Sequence, residues 1–382
     1  MLFLVLKEVI TIKKILFGIT SLTLGGAERV LVDISNKLSE KYDITIFSIY
    51  DNGELKNDLN KNVKFKALYN CRYDELTKLQ KMWIPIKILL FSKIIYNKKI
   101  KQNYDTEIAF LEGPITRLFS TKNKDVHKIA WIHNDIEKVF GNDLKSKIKK
   151  YIDKKIYKKY NDLVFVSQDN MEKFQNIYND LNTENMHVIY NYIDKDLVIK
   201  KSNYNIKVEF DYNSINFLTV CRLVKQKAID RFIRVHSKLI KQGLKHKVYI
   251  IGDGPEKENL QKLIKQENVE DTFILLGKKE NPYPYIKNAN YFCLLSEFEG
   301  YGMVLEEAKI LNKPIIITNT AARECIENYP KALILENSED EIYDGLYKLL
   351  NDNDDKIFNN TQTSTEYDNT EKLQKIIELV GD

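Results

Sequence analysis

Residues 296–307, S-E-F-E-G-Y-G-M-V-L-E-E, join the end of an apolar run to the beginning of a helical pattern. The two glycines allow a tight turn, and the first N–H groups of the helix behind it have no partner within the helix. Such a helix start is a ready anion site because these N–H groups lie at the positive end of the helix dipole. A strand followed by a turn and a helix is the repeating unit of parallel α/β folds.

Two carboxylates, Glu299 and Glu307, flank this turn. Eight helical residues rise about 12 Å, whereas the carboxylate pairs of glycosidases lie about 5–9.5 Å apart. The spacing therefore argues against a hydrolase pair that acts on one atom. It suits two acids that bind hydroxyl groups at the two ends of a phosphorylated sugar. A solvated acidic helix start, which the dipole also favours, is the alternative that the spacing leaves open.

Working outward, apolar strand patterns alternate with helical patterns along most of the chain. This alternation predicts two doubly wound parallel sheets with a ligand cleft at the carboxyl ends of their strands. The first series of strands is predicted at 14–20, 44–49, 63–68, 107–111, 129–133, 163–167 and 187–190. The second series is predicted at 216–221, 248–252, 273–277, 291–295, 315–318 and 332–335.

The two series divide the chain into domains. We predict an N-terminal acceptor-binding domain at 1–195, a polar linker at 196–212 and a C-terminal nucleotide-sugar-binding domain at 213–365. Residues 366–382 are predicted to include an amphipathic helix that packs back toward the N-terminal domain. The first 12 residues are apolar but broken by Lys7 and Glu8, which indicates an extra edge strand or a frayed extension rather than a signal peptide.

Composition narrows the class of protein further. The net charge of +5 over 382 residues does not by itself indicate nucleic-acid binding. The four cysteines are far apart, and neither C-x-x-C nor H-E-x-x-H occurs, so neither zinc nor a disulfide framework is expected. No run of 18 apolar residues is present. These features predict a cytoplasmic protein, with the inner face of the plasma membrane as a possible peripheral location.

Basic residues follow the first strand of the second series. Arg222 and Lys227 lie where that strand ends, and two cations there would neutralise a diphosphate. Ordinary surface charge is the alternative. The turn G-D-G-P at 252–255 is not a dinucleotide fingerprint. The backbone near 276–278 is a candidate contact for a nucleobase.

The order of these motifs, R-L-x-x-x-K, then G-D-G-P-E, then E-x7-E, resembles that of the retaining GT-B glycosyltransferases of glycosyltransferase family 4. The resemblance implies a transferase of the hexosyltransferase type. It implies that Arg222 and Lys227 bind the nucleotide diphosphate, that Glu307 binds the ribose and that Glu299 contacts the donor sugar. It also implies that backbone N–H groups at Gly302, Met303 and Val304 meet the phosphates.

The resemblance assigns two features of the first domain. The Gly25-Gly26 turn would lie over the donor phosphate, and His133, at the end of the strand K-I-A-W-I-H, would lie beside the donor sugar. A lone histidine is more often structural, so this assignment rests on the resemblance. The chain departs from the family pattern where glycine is usual, at Tyr192, Cys221, Ala228 and Asn312, and T-A-A-R-E lacks the usual Gly-Gly.

A basic segment at 76–104 contains seven lysines and no acid, mixed with apolar residues, and 145–159 adds eight lysines against one aspartate. A basic amphipathic surface of this kind can dock on anionic lipid. A solvated helix face with an apolar core side is the alternative, and stacking platforms for nucleic acid are lacking.

We therefore predict a metal-independent, retaining glycosyltransferase of bacterial surface-polysaccharide assembly. It would use no cofactor. It would take a nucleotide-diphosphate sugar, UDP favoured over GDP, and a glycan or lipid-linked acceptor. Two D-x-D sequences, at 194–196 and 352–354, are the places where a metal-dependent transferase would bind its ion, and their positions argue against this. A sugar-nucleotide epimerase and an inactive GT-B partner subunit are the alternatives.

Overall fold

The computed structural model describes residues 12–51, 53–73, 75–100, 103–121, 125–134, 144–351, 358 and 367–381. The chain divides into two compact units. The first comprises Met1–Tyr192 and Thr370–Asp382, and the second comprises Ile193–Asn369. The predictions for the N-terminal extension and for the second D-x-D sequence concern residues that lie outside the described ranges, apart from Ile12.

The first unit is built on a parallel sheet of seven strands in the order β3-β2-β1-β4-β5-β6-β7. Several of these strands are buried along nearly their whole length, as parallel strands covered on both faces are. Their bounds are β1 Lys14–Ile19, β2 Asp43–Tyr50, β3 Lys64–Tyr69, β4 Thr106–Ala109, β5 His127–Ile132, β6 Asp162–Phe165 and β7 Met186–Val188.

Helices connect these strands. They are α1 Gly26–Leu38, α2 Lys78–Lys99, α3 Pro114–Phe119, α4 Leu144–Tyr157 and α5 Gln168–Ile177. The helix α2 begins at a capping box in which Thr77 and Gln80 exchange hydrogen bonds, so its start is fixed locally. Residues of α2 and α4 share one core cluster, which places both helices on the same face of the first sheet.

The second unit repeats the pattern with a parallel six-stranded sheet in the order β10-β9-β8-β11-β12-β13. Its strands are β8 Ile215–Val220, β9 His246–Ile251, β10 Phe273–Gly277, β11 Tyr291–Leu294, β12 Ile315–Thr318 and β13 Ala332–Leu335. Its helices are α6 Lys195–Ser202, α7 Ile229–Lys241, α8 Lys257–Gln266, α9 Tyr283–Asn288, α10 Met303–Ile310 and α11 Glu339–Asn351.

The final helix, α12 (Thr370–Gly381), belongs to the first unit. Its apolar residues Ile376 and Val380 are fully buried, and the Thr106 hydroxyl donates to the Val380 carbonyl at 3.4 Å. Every strand run predicted from the sequence corresponds to a strand. None of the helices in the described part of the chain has the length and apolar character needed to cross a bilayer.

The boundary between the units differs from the predicted linker at 196–212. These residues belong to the second unit, and the first of them form α6. Asp194 caps this helix by accepting a hydrogen bond from the Leu197 N–H at 2.9 Å. Val198 is buried, and the Phe210 ring lies 4.6 Å from that of Tyr249, centroid to centroid. The sequence therefore predicted a linker because this segment is mostly polar and its few buried apolar residues are widely spaced.

Candidate functional site

Two predicted site residues meet at the carboxyl ends of β8 and β11, which are neighbouring strands. Lys227 ends a short 3-10 helix after β8, and Glu299 lies in the loop after β11. The Lys227 Nζ is 2.5 Å from the Glu299 Oε1, although 72 residues separate them in the sequence. The same oxygen accepts a hydrogen bond from the Ser296 hydroxyl at 2.6 Å. Glu299 is only 6% exposed, so it is a buried acid and not part of a solvated helix start.

The loops that carry this pair are held by hydrogen bonds to main-chain carbonyls. The Glu297 N–H donates to the Gln226 carbonyl at 2.9 Å, and the Gln226 side-chain amide donates to the Phe298 carbonyl at 2.8 Å. The Thr318 hydroxyl donates to the Ser296 carbonyl at 2.6 Å. Two of these bonds join the Lys227 and Glu299 loops and the third holds the Glu299 loop to β12, so the loops that carry the pair are fixed in place.

Arg222 lies two residues beyond β8 and is exposed. Within the described ranges, no carboxylate lies within 4.0 Å of its guanidinium group. An exposed guanidinium with unused donors at this edge of the sheet is suited to bidentate binding of a phosphate.

The G-D-G-P turn supports the Arg222 loop. A Cβ at Gly252 would lie 1.8 Å from the Cys221 carbonyl oxygen. Only glycine at this position therefore allows the backbones of the two loops to approach each other this closely. The Leu223 N–H donates to the Asp253 carbonyl at 3.0 Å, which holds the loops together. Burial raises the pKa of the neighbouring Cys221 thiol to about 12, so this thiol stays neutral at physiological pH.

The predicted anion site begins α10. Gly302 is the residue before the helix and has φ 75°, a left-handed conformation that favours glycine. Met303 and Val304 occupy the first turn, where helix geometry supplies no acceptor for their N–H groups. The buried Tyr301 hydroxyl donates to the Glu306 carboxylate, which fastens the turn to the helix.

Glu307 lies further along α10 and is half-buried. Its Oε1 accepts a hydrogen bond from the Tyr283 hydroxyl at 3.2 Å, so its carboxylate is held in place and does not extend into bulk water. The backbone at Gly277, the predicted nucleobase contact, has φ 69°, and its carbonyl accepts from the Gly252 N–H at 3.0 Å.

Two of the departures from the family pattern have a structural explanation. Ala228 and Asn312 stand where the family usually has glycine, and both adopt left-handed conformations, with φ 48° and 54°. Asparagine tolerates this region, whereas alanine is strained in it by about 1–2 kcal/mol. The backbone path that the family builds with glycine is therefore retained at both positions.

In the first unit, His133 follows β5 and packs against the Phe110 ring, with centroids 4.7 Å apart. Burial lowers the pKa of His133 to about 3, so the imidazole is neutral. Its Nε2 is buried and has no hydrogen-bond partner in the described part of the chain.

Sequence reasoning missed Glu112, which holds the His133 turn. Its Oε1 accepts from the N–H groups of His133 and Asn134 at 2.8 and 2.7 Å. Burial raises the pKa of this carboxyl. The available signal was an acid directly after the apolar run that begins in β4 and ends at Leu111, at the edge where ligands bind in α/β sheets.

The Gly25-Gly26 turn begins α1 as predicted, but an acid lies over the helix start. A Cβ at Gly25 would lie 2.2 Å from the Glu28 Oε2. Burial raises the pKa of Glu28. Arg29 is engaged by Asp33 and by Asp58, so this basic residue is part of the structure of α1.

Two doubly wound parallel sheets in one chain are the architecture of the GT-B glycosyltransferases, and a solved structure of this kind matches the chain. The Anabaena protein HepE, solved in complex with UDP and glucose, gives a TM-score of 0.73 at 15% identity, covering 97% of this chain and 99% of HepE. At this identity the match concerns the fold, and it confirms the predicted fold class.

Residues 200–365, which lie in the second unit, match the family model described as glycosyl transferases group 1. An N-acetylgalactosamine-N,N'-diacetylbacillosaminyl-diphospho-undecaprenol 4-alpha-N-acetylgalactosaminyltransferase of Campylobacter jejuni is 28% identical over 342 residues, 87% of this chain and 89% of the relative. The O-antigen biosynthesis glycosyltransferase WclY of Escherichia coli is 24% identical over 80% of each chain. The chain is thus a glycosyltransferase that carries a glycosyl transferases group 1 domain, which confirms the predicted enzyme class.

Proposed function

We propose that this glycosyltransferase moves a hexosyl group from a nucleoside-diphosphate sugar to a glycan or lipid-linked acceptor during assembly of a bacterial polysaccharide or glycolipid. The Campylobacter relative is named for a diphospho-undecaprenol acceptor, WclY for O-antigen biosynthesis, and HepE was solved with UDP. These names support a lipid-linked or glycan acceptor and favour UDP over GDP in the donor.

The observation that carries the proposal is the group of charges at the carboxyl ends of β8 and β11. Arg222, with unused donors, and Lys227, held 2.5 Å from Glu299, lie on loops of the same sheet edge from which α10 begins. Two cations and a helix start would stabilise the negative charge that develops on a leaving diphosphate, which is the work a metal ion does in other transferases. We therefore propose that the diphosphate is bound without a divalent ion.

The acids have separate proposed tasks. Glu299, already bonded to Lys227 and Ser296, has a fixed position from which its second oxygen can accept from a sugar hydroxyl. Glu307, steadied by Tyr283, would accept from the ribose hydroxyls. The neutral His133, with its unpartnered Nε2, is suited to a hydrogen bond with a hydroxyl of the sugar and not to proton transfer as a cation.

Asp194 bears on the metal-dependent alternative. Its carboxylate caps α6 through the Leu197 N–H, so one acid of the first D-x-D sequence has a structural task. The second D-x-D sequence lies outside the described ranges.

A nucleotide panel tests the proposal directly. Binding stabilises a protein by RT ln(1 + [L]/Kd), about 2.7 kcal/mol at one hundred times Kd, so thermal melting with UDP, GDP, ADP and CMP in EDTA should show the largest rise for UDP. A rise that requires Mn²⁺ would contradict the metal-free site.

Incubation with the preferred donor and no acceptor should give at most slow hydrolysis of the donor. Formation of an epimerised sugar nucleotide would instead support the epimerase alternative. The anomeric configuration of the product, read by NMR, tests retention.

A further inference from the structure

The helix α2 has apolar side chains on two opposite sides. Ile84 and Ile88 point into the core of the first unit and are buried. On the far side, six large apolar residues are exposed, namely Leu79, Met82, Trp83, Ile86, Leu90 and Ile94. The helix is kinked at Phe91. At about 100° per residue, the five of these positions that precede the kink are centred opposite Ile88. We call the six residues the outward stripe. A helix that only covers a core needs one apolar face, so the second one calls for a partner.

The charges around the outward stripe are all of one sign. Lys87 and Lys93, which lie before and after the kink, are both exposed, and the helix contains no acidic residue. Lysines that flank an apolar helix face are the pattern of helices that lie in the interface of an anionic membrane.

A second helix of the same unit repeats the pattern. In α4, Leu144, Ile148 and Tyr151 are exposed at a spacing of four and three residues, so they share one side of the helix. The other side of α4 contributes Ile156 and Tyr157 to the core cluster that Ile84 and Ile88 of α2 also enter. The two helices therefore cover one face of the first sheet, and both have basic, apolar outer surfaces.

We propose that the outward stripe of α2, together with the exposed side of α4, docks this protein on the surface of an anionic phospholipid bilayer. The apolar side chains would enter the boundary between headgroups and acyl chains, and the lysines would contact lipid phosphates. The alternative occupant is a second copy of the chain. A symmetric contact would bring the same lysines face to face, which disfavours it. The proposal deepens the lipid-linked acceptor of the proposed function and rests on it only for its biological purpose.

Trp83 is a built-in reporter. The chain has two tryptophans, and the other, Trp131, is 1% exposed in the core. Vesicles of equal parts phosphatidylcholine and phosphatidylglycerol should shift Trp83 emission to shorter wavelength, and brominated acyl chains should quench it. Pure phosphatidylcholine vesicles and free inorganic phosphate should do neither to a comparable extent. Unchanged emission with the anionic vesicles would overturn the proposal.

Matched variants separate the two contributions. In vesicle co-sedimentation, Trp83→Ser/Leu90→Ser should lower the partition coefficient at least about tenfold, while Tyr212→Ser, which removes an equally exposed aromatic residue from the second unit, should not. Lys87→Gln/Lys93→Gln should lower it about thirtyfold. Lys245→Gln/Lys262→Gln removes the same net charge from exposed positions of the second unit and should have a much smaller effect.

Equal binding by the stripe variant and its control would contradict the proposal. Sedimentation that shows a dimer in the parent protein and a monomer in Trp83→Ser/Leu90→Ser would assign the surface to a second copy instead. The UDP-induced rise in melting temperature should be the same in all of these variants. Loss of vesicle binding with intact UDP binding would count against the docking proposal alone. Loss of UDP binding with intact vesicle binding would count against the transferase proposal alone.

Discussion

A lysine–glutamate pair occurs near the beginnings of strands in the first sheet, and another occurs beyond the carboxyl ends of strands in the second sheet. The two pairs differ in how many other protein groups they contact. Near the beginnings of β4 and β5, Lys128 Nζ lies 2.5 Å from Glu107 Oε2, and both side chains are at most 3% exposed. Protein groups complete both partners, because Lys128 also donates to the Phe119 carbonyl at 2.9 Å and the Tyr96 hydroxyl donates to Glu107. Both charges of this buried pair therefore have additional protein partners.

Beyond the carboxyl ends of β8 and β11, the Lys227–Glu299 pair has the same length but is incomplete. Glu299 is the one hydrogen-bond partner of the Lys227 ammonium among the described residues, and this ammonium has three donors. The histidines show the same contrast. His236 Nδ1 and Nε2 each lie 2.8 Å from a partner, His246 and Thr272, whereas the Nε2 of His133 beyond β5 has none in the described ranges. At Lys227 and His133, unused hydrogen-bonding capacity is therefore available to the proposed ligand.

The largest effect expected from this contrast is on stability. Lys128→Met should lower the free energy of unfolding by about 3–5 kcal/mol, because it leaves Glu107 buried without its cation. Urea unfolding measures this. Lys64→Met removes a lysine from the exposed pair with Asp43 and should cost about 0–1 kcal/mol.

A second variant distinguishes lost charge balance from lost packing. Lys128→Met/Glu107→Gln replaces both charges and keeps an acceptor for the Tyr96 hydroxyl, so it should recover most of the lost stability. Equal stability of the single and double variants would show that Lys128 matters only for its volume.

The complementary substitution should affect the reaction. Lys227→Ala should lower turnover about 10²–10³-fold, while its cost in unfolding free energy should stay below half that of Lys128→Met, since the Ser296 hydroxyl still bonds Glu299. Lys225→Ala, two residues earlier and exposed, is the matched control. If both lysine variants kept the parental rate, the unused donors of the Lys227 ammonium would have no role in binding the diphosphate.

The sequence predicted the elements of this comparison but not their pairing. Apolar runs located β10 and β12 to the residue because buried parallel strands have continuous apolar sequences. The sequence predicts Lys227 and Glu299 as separate ligands, since their contact depends on which strands are neighbours. No local sequence pattern predicts that His236 and His246 are buried against each other. The sequence likewise predicted a basic segment but not the outward stripe, since only the packed helix shows which of its sides is covered.

The pH dependence of stability should reflect the complete histidine network. Burial lowers the pKa of His236 to about 2, with a further contribution from His246, and that of His246 to about 4, from an ordinary value of 6.5. The unfolded chain therefore binds more protons below pH 6.5, and stability that is present above this pH is lost as the pH falls. The pair should cost about 2 kcal/mol between about pH 7 and about pH 5.5.

Urea unfolding at the two pH values measures this loss. His236→Phe/His246→Leu removes both titrating groups, so its stability should change less with pH than that of the parent protein, whatever its absolute value. An unchanged pH dependence would place the proton uptake at other groups.

The smallest expected effect concerns the turn that begins α10. Tyr301→Phe removes the donor to Glu306, whose carboxylate is 1% exposed, and should cost about 1–2 kcal/mol of stability. Because Tyr301 precedes Gly302, the same change should loosen the proposed phosphate contact and weaken nucleotide binding about threefold to tenfold by calorimetry. Tyr329→Phe is the matched control, since its hydroxyl donates to the Lys313 carbonyl at 2.9 Å, beyond the other end of the helix. Equal nucleotide affinities in the two variants would show that the Tyr301–Glu306 bond supports the fold alone. Its role would then be structural, like that of the Lys128–Glu107 pair.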